Sequence, residues 1–157
     1  MSVTYSMLDF LRRLFEYDYW ANSRVVENLE SVNQKEQPLK YFSHVLGSQY
    51  IWLARLHGEN TAGKSPWYNL QVSECRAKVE ELKETWKKFL EGMKENELQN
   101  KISYKNPQGQ EFESRIGDIL THVIIHSAYH RAQAAQAIRA SGQDPAVTDF
   151  IRFARKQ

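Results

Sequence analysis

Thr121-His122-Val123-Ile124-Ile125-His126-Ser127-Ala128-Tyr129-His130-Arg131 places three of the chain's five histidines four residues apart. In a helix a four-residue step advances about 40° around the axis, so the three lie along one side. Working outward, Ile116, Ile119, Val123, His126, His130, Gln133 and Ala137 form one seam. That seam predicts a helix from about Ser114 to Ala140, ended by Ser141-Gly142. His126 and His130 then occupy core positions in an otherwise apolar stripe, while His122 sits about 70° from its centre, at its flank. An unsatisfied buried imidazole costs on the order of 1–3 kcal/mol. A shared cation satisfies both rings at once, and hydrogen bonds to facing side chains are the alternative.

The remaining chain reads as partners for this helix. Met7, Leu11, Leu14, Ala21 and Val25 make the seam of a first helix. Pro38 opens a second through Phe42, Leu46, Leu53 and Leu56, with Gly58 as its C-terminal cap. Residues 60–70, containing Gly63 and Pro66, read as a long crossing loop. Ser73 starts a third helix with the seam Cys75, Val79, Leu82, Trp86, Phe89 and Met93. Lys101 to Glu113 alternates around Asn106-Pro107-Gln108-Gly109, which predicts a small β-hairpin before the fourth helix. The tail from Ala146 predicts a short C-terminal helix that sets Phe150, Ile151 and Phe153 on the bundle. The expectation is an all-α fold, a four-helix bundle with one crossover, with residues 1–157 as a single domain.

Composition narrows the function. A chain of 157 residues with 41% hydrophobic and 25% charged residues can bury one core as an ordinary globular protein. A net charge of +2 and no basic cluster argue against nucleic acid or an anionic membrane as partner. Cys75 is the single cysteine, which excludes an internal disulfide and favours a cytoplasmic setting. On the apolar seam it reads as a small core residue rather than a nucleophile. No apolar run is long enough to span a bilayer, and the first six residues lack the features of a signal peptide. Aromatic residues make up 12%, which suits a packed core with an aromatic pocket.

Two polar positions matter besides the histidine run. Asp18 stands between Leu14 and Ala21, where the first seam calls for an apolar residue. A carboxylate there can orient a ligating imidazole, accept a proton in catalysis, or pair with an Arg or Tyr across the bundle. A third ligand must come from another helix, and spacing leaves His44 and His57 both open. His57 precedes Gly58, where the helix dipole alone favours a histidine. His44 projects away from the Phe42–Leu46–Leu53 stripe, with Ser48 and Ile51.

Three segments carry a family resemblance. Tyr17-Asp-Tyr-Trp20-Ala-Asn22 resembles the Tyr-x-x-Trp-Ala-Asn signature of DinB-like proteins. Ser43-His-Val-Leu followed by Trp52-Leu-Ala-Arg-Leu56 is similar to a second family segment, and His126-x-x-x-His130-Arg-x-Gln133 to a third. Each is weak singly; together, in the family's order, they are specific. The resemblance is to the DinB/YfiT-like superfamily of small metal-binding bundles, not to the DNA polymerase that shares the name. Ala132 departs from the glycine often found after the arginine, a change of packing rather than of ligands.

The resemblance implies an up-down-down-up four-helix bundle, commonly a homodimer. It also implies one divalent metal held by His44, His126 and His130, with His122 left as a flanking residue. Three neutral imidazoles leave such an ion its full charge and an open position, which suits hydrolysis or thiol transfer. The expected activity is that of a metal-dependent hydrolase or a thiol-dependent S-transferase acting on a small molecule. Its metal would be zinc, nickel, copper or iron, with zinc and nickel foremost, and a low-molecular-weight thiol its co-substrate. Asp18 or a tyrosine would assist proton transfer, and Arg55 or Arg131 would serve at the pocket mouth. The alternative expectation is a non-catalytic, damage-inducible stress metalloprotein whose ion is structural or binds a ligand.

Overall fold

A computed structural model of the chain describes residues 5–155; residues 1–4, part of the segment tested for a signal peptide, lie outside it. Four long helices dominate: α1 (Met7–Ser31), α2 (Glu36–Leu56), α3 (Val72–Glu91) and α4 (Ile116–Ala140). A 3₁₀ turn (Glu95–Gln99) and an antiparallel hairpin, β1 (Lys101–Lys105) with β2 (Glu111–Arg115), separate α3 from α4, and a short α5 (Phe150–Ala154) follows. The order is up-down-down-up. A short turn reverses the chain between α1 and α2, residues 57–71 cross the bundle, and the hairpin returns the chain into α4. The closest pairings are α2 with α4 and α1 with α3.

Local chemistry sets the helix ends. Ser6 caps α1 by accepting from the Asp9 backbone N–H at 3.1 Å while Asp9 reaches back to the Ser6 N–H. Gln71 and Glu74 form the equivalent reciprocal pair at α3. Gly58 and Gly142 follow α2 and α4 with φ of 76° and 81°, the left-handed conformation that glycine adopts without strain. Pro38 falls inside the first turn of α2 rather than opening it. The fourth helix starts at Ile116 and not at Ser114, because Ser114 pairs with Ile102 in the hairpin and the strand runs straight into the helix.

The buried faces are broader than single seams. On α1 the buried row is Leu8, Leu11, Phe15, Asp18, Asn22, Val25 and Leu29, while Met7 is 59% exposed. This row, a fraction of a turn from the expected one, meets Val79, Leu82, Trp86 and Leu90 of α3 across the core. On α4 a second row, Leu120, Ile124, Ser127, Arg131 and Ile138, is buried beside the one read from sequence. On α5 Phe153 is buried against Tyr17 and Ala21 and Phe150 packs on that cluster, but Ile151 is exposed, pointing away from the bundle. Among the described residues no helix is long and apolar enough to cross a membrane.

Candidate metal centre

The middle of α2 is buried without interruption from Phe42 to Gln49. A helix can bury all sides only if something covers the face away from the core, and here the crossing loop does so. Gly47 permits it: a Cβ at that position would lie 2.2 Å from the Pro66 carbonyl oxygen. The loop therefore presses onto α2, and the Trp67 ring stacks on the His44 imidazole, centroids 3.7 Å apart and planes 9° from parallel.

His44 thus faces α4 from beneath this cover. Its ring centroid lies 5.0 Å from that of His126 and 4.4 Å from that of His130. One nitrogen from each of the three rings falls within 4.8 Å of the others, a group able to hold a metal ion. The outer nitrogens are already committed. His44 Nδ1 donates to the Pro66 carbonyl at 3.2 Å, and His130 Nδ1 donates to Gln133 Oε1 at 2.6 Å. Both acceptors require a proton on Nδ1, so Nε2 of each ring carries the lone pair, the arrangement that ligating histidines adopt. His130 Nε2 and His126 Nε2 face each other at 3.1 Å.

Electrostatics favour the neutral form. Burial first, then the neighbouring His130, hold His44 down at about 4. Burial, then His130, His44 and His122, bring His126 to about 4 as well. At neutral pH both imidazoles therefore carry lone pairs that a divalent ion can use. The donor set and its tautomers fit a divalent cation.

The other histidines stand apart. His57 Nδ1 bonds the Leu53 carbonyl at 2.9 Å and its ring packs on Phe89, so it finishes α2. His122 is exposed, with its ring edge on Trp52 and 5.3 Å from the His126 centroid, outside the three-nitrogen group. Cys75 is fully buried and burial pushes its thiol up to about 11, so it stays protonated.

Asp18 sits in a different polar cluster behind the histidines. Arg131 Nη1 donates to its Oδ1, and also to Asn22 Oδ1 at 2.9 Å. Its Oδ2 accepts from Asn22 Nδ2 at 2.9 Å and from Gln49 Nε2 at 2.6 Å. Gln49 Nε2 also donates to Ser127 Oγ at 3.0 Å, and Gln49 Oε1 accepts from Trp86 Nε1 at 2.8 Å. None of the hydrogen bonds of Asp18 goes to an imidazole. The cluster floors a cavity of about 310 Å³ between α1 and α3 that no histidine lines. A smaller cleft of about 140 Å³ reaches His44 and His126. Chemistry rather than volume locates the site.

The model of the DinB family matches residues 7–157. The chain belongs to the DinB family. A curated member, "Protein DinB" of Bacillus subtilis (strain 168), is 24% identical over 160 residues, covering 92% of this chain and 93% of that protein. No solved structure matches significantly. In this family member, sequence reasoning passed over Gln49 and Trp67 and placed Arg131 at a pocket mouth. Gln49 had a readable signal, since it lies in the α2 turn that had to be buried on every side if His44 were. Trp67 had none, because it sits in a loop without periodicity.

Proposed function

We propose that His44, His126 and His130 bind one divalent metal, zinc or nickel, and that the protein is a metal-dependent enzyme acting on a small molecule, by hydrolysis or by transfer to a low-molecular-weight thiol. The single observation that carries this reading is the gathering of one nitrogen from each of the three rings within 4.8 Å, with Nδ1 of His44 and of His130 engaged by Pro66 and Gln133. An ion held by three neutral imidazoles supplies a Lewis-acidic, open coordination position that lowers the pKa of water or a thiol. The chain's own residues do the rest. Trp67 fixes the plane of His44 by stacking, and Tyr129 sets its ring edge on His130, centroids 5.0 Å apart. Asp18 anchors the fold behind the site, holding Arg131, the residue after His130, in the core.

One observation favours the alternative, a stress-related metalloprotein without catalysis: Asp18, the carboxylate expected to move a proton, is wholly engaged by Arg131, Asn22 and Gln49. The family resemblance further supports a homodimer as the working state, and the single cysteine a cytoplasmic setting.

Elemental analysis of protein purified without a metal-affinity column tests the site. One equivalent is expected in the wild type and in His57→Ala, and none in the His126→Ala/His130→Ala double variant; an equivalent retained by the double variant would remove the reading. Turnover of ester, amide and electrophilic substrates with and without added thiol then separates enzyme from binding protein.

A further inference from the structure

The cleft that reaches the histidines also contains an arginine with no counter-charge. Arg55 is only 9% exposed. Its Nε donates to Thr61 Oγ1 at 3.0 Å and its Nη2 to the Lys105 carbonyl at 3.1 Å, both neutral acceptors. The guanidinium lies between the rings of Trp52 and Tyr104, 4.5 and 4.9 Å from their centroids. Among the described residues no carboxylate forms an ion pair with it, and Nη1 has no hydrogen-bond partner. Lys64, the other cation on the cleft, is exposed and already pairs with Glu59 at 3.8 Å.

A buried charge without a partner is unfavourable, and two aromatic faces offset only part of the lost hydration. The fold nevertheless holds this group in place from three sides, by Thr61, by the hairpin carbonyl and by the ring pair. It also lines the wall shared with His44 and His126. An arginine pinned by neutral acceptors and left with a free N–H edge is a preformed seat for an anionic oxygen.

We infer that Arg55 is a specificity residue that binds the anionic end of a small-molecule ligand, a carboxylate or a phosphate, whose other end reaches the three histidines. This rests on the metal-site reading for what the far end meets, but not for the anion seat itself. At about 140 Å³ the cleft takes one end of a ligand, so the class is a short acid with a metal-seeking group a few bonds away.

Three thiols of equal backbone test it by calorimetry on the zinc-loaded protein: 3-mercaptopropionate, 2-mercaptoethanol and cysteamine, which end in a carboxylate, a hydroxyl and an ammonium. The expected order places 3-mercaptopropionate about 10- to 100-fold tighter than 2-mercaptoethanol, as for a hydrogen bond to a charged group, and cysteamine weakest. Arg55→Gln should bring the three together and Arg55→Lys should keep part of the preference. Equal affinities in the wild type, or a preference that survives Arg55→Gln, would overturn the assignment. Because Arg55 also ties the loop to the hairpin, the wild-type ranking and Arg55→Lys decide the matter if Arg55→Gln does not fold. A second arm separates this idea from the metal reading. Propionate titrated into metal-free protein should shift the Trp52 indole N–H resonance, with no shift from propanol. Absence of zinc binding with that shift present defeats the metal reading alone; zinc binding with no shift and no carboxylate preference defeats the anion seat alone.

Discussion

Asp18→Asn keeps the size of the side chain and removes one charge from the middle of the bundle. Asp18 and Arg131 have side chains 4% and 1% exposed, so neither charge has water to fall back on. Without the carboxylate, Arg131 keeps one hydrogen bond, to Asn22, and the Tyr17 ring 5.4 Å from its guanidinium carbon. Its Nε and Nη2 have no partner that could take over. Removing one member of a buried pair costs about 3–5 kcal/mol, chiefly because the other stays buried uncompensated. Asparagine offers one acceptor oxygen and one NH2 donor, so it can no longer accept from Arg131 on one side and from Gln49 and Asn22 on the other, and the upper part of that range is expected. Urea unfolding of the metal-free protein measures the loss, and zinc titration measures what happens at the histidines. We expect a large drop in stability with zinc affinity retained wherever the variant is folded, and partial recovery in Asp18→Asn/Arg131→Met, where no orphaned charge remains. A loss below about 1 kcal/mol would mean the pair is not the buried anchor described. A 10- to 100-fold fall in zinc affinity at unchanged stability, the signature of a residue that orients a ligand, would return Asp18 to the metal.

Other outcomes rest on the same geometry. Metal-free protein should lose stability as pH falls from about 6.5 toward about 4, and again above about 9, where the unfolded chain ionises Cys75 while the buried thiol stays protonated. Over the acidic range the unfolded chain protonates His44 and His126 while the native rings resist; the His44→Asn/His126→Asn variant should lose that part of the slope in pH-dependent urea melts. Gly47→Ala sets a methyl 2.2 Å from the Pro66 oxygen, so the crossing loop must lift. A cost of about 1–3 kcal/mol and weaker zinc binding are expected by melting and titration, and an unchanged protein would refute the loop's close seat. Trp86→Ala should cost about 3–5 kcal/mol, since the ring is 3% exposed and its loss also strands Gln49 Oε1; urea unfolding checks it.

The bundle was legible because long helices repeat their apolar positions several times over, which averages out local error. The faces were less so. On α1, Met7-Leu8 and Leu14-Phe15 are adjacent apolar pairs, and either member of each satisfies the seam; burial in the core selects Leu8 and Phe15, the latter with its ring 4.6 Å from that of Trp86 on α3. The histidines announced themselves through periodicity on one helix. Arg131 did not, because a charged residue is by default a surface residue, and its partner Asp18 is 113 positions away. Trp67 was hidden by its place in a loop, which leaves no trace in local pattern, and the partners of Gln49 lie on other helices, so only its burial could be read.

The Asp18 cluster draws one member or more from every long helix: Asp18 and Asn22 from α1, Gln49 from α2, Trp86 from α3, Ser127 and Arg131 from α4. Leucines and valines along a seam are nearly interchangeable, so an apolar bundle tolerates one helix sliding a turn, about 5.4 Å, past its neighbours. Directional bonds among six different side chains do not. The cluster therefore acts as an alignment pin that fixes the longitudinal register of all four helices, and with it the height at which a histidine on α2 meets two on α4. A designer moving this site to another bundle would have to carry the pin along with the ligands.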